Sequence, residues 1–301
     1  MNLERLETEQ RNQNTMNIDT LETQDILKTI NNEDKKVPYI IEEVIPQITK
    51  LVDACFERLM KGGRVIYIGA GTSGRLGVLD ASECPPTYGV DFELFRGLIA
   101  GGYPALLKAQ EGAEDNPKLA EKDLIELELN ENDTVIGLAA SGRTPYVIGG
   151  LQYARKIGTL TGSIACVQNA QISEYAMYPI EAVTQAEVVT GSTRMKAGTA
   201  QKLILNMIST SLMIKYGKVY QNLMVDLQPT NQKLVQRSQR IIQEATGCSQ
   251  EDAVTYLEKS EHNVKLAICM YLTKKDKQTC LSLLNQSHGN VSHTIHELKK
   301  Q

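Results

Sequence analysis

Apolar positions along the chain change their spacing several times, and these changes predict its elements. Residues 37–60 carry apolar side chains at helical spacing, and Gly62-Gly63 ends that helix. Five short apolar runs then predict β-strands. The first follows the helix at once and leads into a glycine loop at Gly69, and the other four cover residues 95–99, 134–140, 161–167 and 178–183.

Helical patterns lie between most of these strands, notably over residues 146–157. Alternation of this kind predicts an α/β fold, with a parallel five-stranded sheet that carries helices on both faces, as in flavodoxin-like proteins. Pro85 and Pro86 precede the second strand and predict a break in the helix there. Ligands of such sheets bind beyond the carboxyl ends of the strands, where the strand order reverses.

The two ends of the chain differ from this pattern. Residues 1–36 are polar and predict an extension that packs on the core, in which four side chains could cap short helices: Thr15, Asp19, Thr20 and Asp25. Residues 229–301, which begin at Pro229, predict a small all-helical region. Residues 37–228 between them form the predicted main domain, which contains the sheet.

The helical region contains a short internal echo. Five residues recur 27 positions later, which predicts two copies of one small helical unit. Leu257, Ser260, Asn263, Val264 and Ile268 are followed by Leu284, Ser287, Asn290, Val291 and Ile295. Residues 249–252 predict a capping box in the same region. Three roles stay open for the helical region: a lid, a dimerisation element or a partner-binding module.

The loop after the first strand has the composition of a phosphate cradle. Gly71 and Gly74 let the backbone approach an anion, while Thr72 and Ser73 add hydroxyl donors at a helix N-terminus. With Gly69 these glycines also spell the dinucleotide fingerprint. That fingerprint wants an acid after the next strand, but residues 100–102 are Ala-Gly-Gly. A small phosphate ester is therefore favoured over NAD.

Two further loops repeat this chemistry. The third predicted strand leads into Ser141, Gly142, Arg143, Thr144 and Pro145, and the proline suits a first helical turn. A third segment, residues 190–193, carries Ser192 and Thr193 and opens an apolar helix over residues 196–215. Each loop alone is no more than a capped helix start. Together they indicate a single anion held between neighbouring strand ends.

Composition excludes several classes of protein. The 301 residues are 42% hydrophobic, enough for a sizeable core, and the net charge of −4 includes no basic tract for nucleic acid. No apolar run approaches the ~20 residues of a membrane helix, and the N-terminus lacks a secretory signal, so a cytoplasmic location is expected. The cysteines are scattered, which predicts buried thiols rather than disulfides or zinc: Cys55, Cys84, Cys166, Cys248, Cys269 and Cys280.

Acid-base groups near the phosphate loops are carboxylates rather than imidazoles. The four histidines, His262, His288, His293 and His296, all lie in the C-terminal region, where their context suggests a solvated helix and disfavours a metal site. Proton transfer near the loops therefore falls to carboxylates, Lys or Tyr. Glu83 and Glu114 stand out by context, although pattern alone leaves both as surface acids.

Five stretches carry a family resemblance. GAGTSGRLG covers residues 69–77, DASECPPT 80–87, QEGAED 110–115, ASGRTPY 140–146 and GSTRMKAGTAQK 191–202. Through them the chain resembles the N-acetylmuramic acid 6-phosphate etherases of the sugar isomerase (SIS) fold group, over essentially its whole length. The group is also related to the glucokinase regulatory protein, a binder rather than a catalyst, so fold alone does not establish activity.

The resemblance implies cleavage of the lactyl ether of N-acetylmuramic acid 6-phosphate to N-acetylglucosamine 6-phosphate and D-lactate, by elimination followed by hydration, in cell-wall amino-sugar recycling. It implies that Glu83 protonates the departing lactate and that Glu114 is a second acid-base residue, with no metal or other cofactor. It places the sugar phosphate on the loops, at Gly71, Thr72, Ser73, Gly74, Ser141, Gly142, Arg143, Thr144, Ser192 and Thr193. It also implies a homodimer.

The position of Glu83 raises a geometric difficulty. On a straight helix Glu83 would lie roughly 14 Å from the first loop, which is far for a hexose phosphate. Either the helix is short and turns back before the prolines, or Glu83 is presented across a subunit boundary. Two other functions stay open on this fold: an aldose-ketose isomerase, and a sugar phosphate sensor without catalytic activity.

Overall fold

The computed structural model describes residues 7–226 and 232–300. The chain divides into two compact units: a sheet unit of Met1–Ser82 and Phe92–Ser209, and a helical unit of Glu83–Asp91 and Thr210–Gln301. The boundary predicted between residues 228 and 229, with Pro229, lies outside the described residues. Within the described ranges, no helix is both long and apolar enough to span a membrane.

The sheet unit holds the parallel sheet and its flanking helices. The strands are β1 (Val65–Gly69), β2 (Phe95–Ile99), β3 (Thr134–Ala139), β4 (Leu160–Ala165) and β5 (Tyr178–Glu181). The helices are α1 (Thr23–Asp34), α2 (Val37–Leu59), α3 (Gly71–Tyr88), α4 (Pro104–Leu107), α5 (Pro117–Glu126), α6 (Pro145–Ile157) and α7 (Lys196–Lys215). The last turns of α3 and α7 belong to the helical unit.

All five strands run parallel in the order β2-β1-β3-β4-β5, which confirms the predicted fold class. Gly137 of β3 faces Val147 of α6, whereas the preceding Ile136 lies on the side where Leu51 of α2 packs. Adjacent residues of a strand point to opposite faces, so helices cover the sheet on both sides. The order reverses between β1 and β3, and their ends are level because Gly69 lies opposite Leu138.

The pair of prolines does not end the helix that contains it. The predicted break before the second strand is wrong, because α3 continues through Pro85 and Pro86 to Tyr88. A proline lacks the N–H donor of a helical residue, but its carbonyl still accepts. The carbonyl of Pro85 accepts a hydrogen bond from the N–H of Gly89 at 2.9 Å, and Gly89, at φ +63°, ends the helix.

The N-terminal extension packs on the sheet unit through polar contacts. Thr15 Oγ1 donates to the carbonyl of Val188 at 2.8 Å, and Asn12 Nδ2 donates to that of Ala186 at 3.3 Å. The predicted caps are wrong. Asn12 itself caps the short helix Gln13–Thr15, while α1 begins without a side-chain cap. Of the four side chains that local pattern assigned to helix caps, Thr15 instead makes a long-range bond, whereas the Thr20 hydroxyl donates to the nearby carbonyl of Asn17.

Besides the last turns of α3 and α7, the described residues of the helical unit form a short hairpin and five helices. They are β6 (Val219–Tyr220), β7 (Leu223–Met224), α8 (Gln232–Thr246), α9 (Gln250–Lys259), α10 (Val264–Thr273), α11 (Lys277–Gln286) and α12 (Val291–Lys300). Ser249 accepts from the N–H of Asp252, which confirms the N-cap half of the predicted capping box of α9. The unit has a hydrophobic core of its own, to which all of these helices contribute.

The internal echo corresponds to two helical hairpins of the same design. Asn263 caps α10 by accepting from Leu266 N–H at 3.0 Å, and Asn290 caps α12 by accepting from His293 N–H at 2.9 Å. The echoed Leu, Val and Ile residues of both copies are buried. The predicted duplication is confirmed.

We expect the two asparagine caps to contribute equally to stability. Asn263→Ala and Asn290→Ala should each lower the free energy of unfolding by about 1 kcal/mol, because each leaves one helical N–H donor without its cap. Urea unfolding measures the loss. Asn285→Ala, at an exposed position in the last turn of α11, is the control and should stay within about 0.5 kcal/mol of the parent. Wild-type stability in either cap variant would contradict the shared design.

Candidate active site

The first loop connects β1 to α3 through a close approach of two glycines. A Cβ at Gly69 would lie 2.7 Å from the backbone N of Gly74, so neither residue tolerates a side chain without movement. Gly71 starts α3 at φ +52°, a conformation that favours glycine. The Ser73 hydroxyl donates to Gln201 Oε1 on α7 at 2.9 Å. Ser73, a predicted phosphate-binding residue, is therefore held by a side chain for which no local sequence signal indicates this role.

The second loop turns tightly at Gly142, which has φ +71°. The N–H of Gly142 donates to the carbonyl of Ala139 at 3.0 Å. A Cβ at Gly142 would lie 2.5 Å from the Cβ of Ala170. Gly142 and Thr144 are buried, while Ser141 and Arg143 are half-buried. Because β1 and β3 are neighbours with level ends, the first two loops leave the same edge of the sheet at its switch point.

Glu114 is hydrogen-bonded to the second loop. Thr144 Oγ1 donates to Glu114 Oε1 at 3.0 Å, and the N–H of Tyr146 donates to the carbonyl of Glu114 at 3.0 Å. Thr144 precedes α6 but makes no side-chain cap to it, so its hydroxyl is free to orient this carboxylate. The structure thus brings one of the two predicted glutamates together with a predicted phosphate loop.

Arg75 links the first loop to the segment that leads to Glu114. Its guanidinium donates to the carbonyls of Ala105 and Leu106, at 2.7 and 2.9 Å, at the end of α4. A charged donor that binds two carbonyls restrains both partners. Arg75 lay inside the first family motif, but nothing in its spacing distinguished this role.

The third loop packs beside the first. The backbone carbonyl of Thr193 accepts from the N–H of Gly198 at 2.9 Å, and a Cβ at Gly198 would lie 3.5 Å from Thr72 Cγ2. Gly191 turns the chain at φ +74°, while Ser192 and Thr193 are half-buried. The first turn of α7 therefore brings this loop close to the first.

Buried charges fix the start of α7. Glu187 accepts from the N–H groups of Lys196 and Ala197, both at 2.9 Å, as expected for an anion at a helix N-terminus. Burial raises the pKa of Glu187, and these backbone donors oppose that shift. Lys196 in turn donates to Glu33 Oε2 at 2.9 Å, and both side chains are almost fully buried. The N-terminal extension thereby holds the helix that follows the third loop.

Glu33 stays ionised at pH values well below the ordinary pKa of a glutamate. Burial raises the pKa of Glu33, but hydrogen bonds from Lys36, Lys196, Asn12 and Asn14 outweigh it and lower the pKa from 4.5 to about 2. A carboxyl group whose pKa is lowered by folding stabilises the folded state at pH values above its pKa in the unfolded chain. This stabilisation is lost as the pH falls toward its pKa in the folded state.

Glu83 belongs to the helical unit, whereas Glu114 and the three loops belong to the sheet unit. Since α3 is continuous to Tyr88, the alternative in which the helix turns back before the prolines is wrong. Both predicted catalytic glutamates are exposed in the single chain. All six cysteines are buried free thiols, as predicted.

We expect Glu33→Gln to remove a pH-dependent part of stability. The variant should be less stable at pH 6, because Lys196 keeps a buried charge without its carboxylate. As the pH falls from 6 to 4, the difference from the parent should shrink by about 1 kcal/mol, since the parent loses the contribution of ionised Glu33. Urea unfolding at each pH measures this. Lys36→Met, which removes a half-exposed partner of Glu33, should show the same trend with a smaller amplitude, and a pH-independent difference for Glu33→Gln would contradict the account.

Comparisons with known proteins agree with the observed fold. Residues 47–155 match the model of the glucokinase regulatory protein N-terminal SIS domain, and residues 221–280 match that of the C-terminal lid domain of glucokinase regulatory protein. A solved structure from Bacteroides fragilis NCTC 9343, described as a proposed phosphosugar isomerase involved in capsule formation, shares the fold. It is 17% identical, has a TM-score of 0.50, and the match covers 65% of this chain and 94% of that one.

Curated relatives match over nearly the full chain. N-acetylmuramic acid 6-phosphate etherase of Clostridium botulinum (strain Eklund 17B / Type B) is 66% identical, and the match covers 98% of each chain. The protein of the same name from Bacillus cereus (strain G9842) is 56% identical over 97% of this chain and 100% of its own. The chain therefore belongs to the family of N-acetylmuramic acid 6-phosphate etherases.

Proposed function

We propose that this chain is a carbon-oxygen lyase that cleaves the D-lactyl ether of N-acetylmuramic acid 6-phosphate. The products are N-acetylglucosamine 6-phosphate and D-lactate, and the reaction serves cell-wall amino-sugar recycling. The observation that carries the proposal is the 66% identity, over 98% of both chains, to a relative of that name. The hydrogen bond between Glu114 and the second loop supports it, because it sets an acid-base group beside a phosphate loop.

We assign the phosphate to the edge of the sheet where β1 and β3 end. The first loop would supply N–H groups of the α3 N-terminus and the hydroxyls of Thr72 and Ser73. The second loop would add the Ser141 hydroxyl and the Arg143 guanidinium, which forms charge-assisted bonds to phosphate oxygens. Gly71, Gly74 and Gly142 would keep the backbone open, and Thr144, Ser192 and Thr193 complete the proposed set.

Two carboxylates are enough for the chemistry we propose. In the ring-opened sugar the C1 aldehyde acidifies the C2 proton, which Glu114 would accept as a carboxylate. Glu83 would protonate the lactate oxygen as its bond to C3 breaks, leaving a double bond between C2 and C3. Water then adds its hydroxyl at C3 and a proton at C2. Each proton transfer is of a kind that typically contributes about 10²–10⁴-fold to the rate.

The exposure of Glu83 supports a homodimer in which a second subunit takes part in the site. A general acid that works near neutral pH needs a raised pKa, and burial is one way to raise it. Glu83 is exposed in the single chain, so we propose that it reaches the sugar across a subunit boundary. Exposed apolar side chains next to the edge strand β2, Tyr103 and Leu107, at 77% and 84% exposure, are consistent with self-association.

We also propose that the protein works in the cytoplasm and without a cofactor. Six buried thiols are typical of a reducing compartment, and phosphorylated sugars are substrates of cell metabolism. The proposed elimination and hydration need proton transfer alone, which carboxylates can supply.

Isotope labelling tests the proposed reaction. With N-acetylmuramic acid 6-phosphate in D₂O and H₂¹⁸O, we expect lactate release, deuterium at C2 of the product sugar and ¹⁸O at its C3. In the same medium, Glu83→Gln should still exchange the C2 proton of the substrate but release lactate at least about 10²-fold more slowly. Glu114→Gln should lose both reactions.

Glu111→Gln provides the matched control, because it changes an exposed glutamate in the same turn as Glu114. It should keep parental exchange and parental turnover. Isomer formation without lactate would identify an isomerase instead. Oxygen-18 in the lactate rather than in the sugar would exclude the elimination, and unaltered turnover by Glu83→Gln would remove Glu83 from the mechanism.

Mixing two inactive variants tests the shared site. Glu83→Gln and Glu114→Gln chains, unfolded together and refolded at equal amounts, should regain roughly a quarter of the parental activity, because half of the dimers are mixed and one site in each is intact. Each variant refolded alone is the control. If the mixture stays as inactive as its components, both glutamates of a site come from one chain.

A further inference from the structure

Gln201 is a buried side chain on α7 whose amide meets the hydroxyl of Ser73. The two side chains are 1% and 7% exposed, and Gln201 Oε1 accepts from Ser73 Oγ at 2.9 Å. Gln201 lies one turn beyond Gly198, which packs near Thr72 of the same loop. The contact joins positions 128 residues apart in the chain.

The nitrogen of the same amide is unsatisfied. Gln201 Nε2 is buried and has no hydrogen-bond partner among residues 7–226 and 232–300. A buried donor without a partner is costly, and native structures rarely keep one without a reason. This orphaned donor belongs to the side chain that hydrogen-bonds Ser73, one of the residues proposed to bind the phosphate.

The orientation of the amide decides where the Ser73 proton points. A serine hydroxyl carries one proton, so a hydroxyl that donates to Oε1 cannot donate to a phosphate oxygen. A half-turn of the terminal amide exchanges its nitrogen and oxygen. Nε2 then donates to Ser73 Oγ, and the hydroxyl proton is released toward the loop.

We propose that Gln201 is a positioning residue, which turns its amide when a phosphate ester binds and so directs the Ser73 hydroxyl at the phosphate. This inference rests on the proposed function for the identity of the ligand. The turned amide satisfies the orphaned nitrogen and gives the bound anion one more donor. Gln201 itself makes no contact with the sugar in this account.

A double-mutant cycle tests this role. Binding of N-acetylglucosamine 6-phosphate and of inorganic phosphate is measured by titration calorimetry for the parent, Gln201→Met, Ser73→Ala and the double variant. Each single variant should bind both ligands about tenfold more weakly. The double variant should bind no more weakly than Ser73→Ala, because Gln201 acts only through that hydroxyl.

Ser209→Ala is the matched control, since Ser209 Oγ donates to Asp80 Oδ1 at 3.1 Å between the same two helices. It should lower the melting temperature and leave phosphate affinity unchanged. Parental affinity in Gln201→Met, or losses that multiply to about a hundredfold in the double variant, would overturn the inference.

Gln201→Glu supplies a readout that a structural role alone would not move. A carboxylate only accepts, so it holds the Ser73 proton, whereas a protonated carboxyl can donate. Its affinity relative to the parent should therefore rise as the pH falls from 8 to 6, and a flat ratio would contradict the inference. Failure of the proposed function can be distinguished from failure of this inference. If the parent protein releases no lactate but gives the same double-mutant cycle with inorganic phosphate, the proposed function is wrong and the role of Gln201 stands.

Discussion

The contact between Gly69 and Gly74 is the constraint on which the site depends. A Cβ at either position would lie 2.7 Å from the backbone of the other, so α3 can start directly against the end of β1 only because both residues lack a side chain. The helix N-terminus, with its unpaired N–H groups, then faces the same edge of the sheet as the second loop. The parallel register of β1 and β3 makes these ends level, so the anion site that we propose would follow from strand pairing and two missing side chains.

The remaining parts of the sheet unit hold the side chains around this edge. Arg75 restrains the segment before Glu114, Thr144 holds its carboxylate, and Gln201 holds Ser73. Lys196 connects the start of α7 to the N-terminal extension through Glu33. A polar extension with little apolar surface thus contributes to the site by pairing a buried charge rather than by filling a core.

Much of this arrangement could be predicted from the sequence, and the failures have two causes. Short apolar runs and glycine loops are local signals, so the strands and the loops carrying Ser73 and Ser141 were predictable. The roles of Gln201 and Lys196 were not, because their partners lie 128 and 163 residues away. Pro85 and Pro86 misled for a different reason: a proline removes a donor but leaves its carbonyl able to continue the helix.

The site that we propose holds one phosphate between the first two loops. A crystal structure of the protein with N-acetylglucosamine 6-phosphate is the direct test. We predict a phosphate within hydrogen-bond distance of both the Ser73 and the Ser141 hydroxyl groups, with C2 of the sugar on the side of Glu114. A phosphate bound elsewhere, or one that contacts neither loop, would contradict the account.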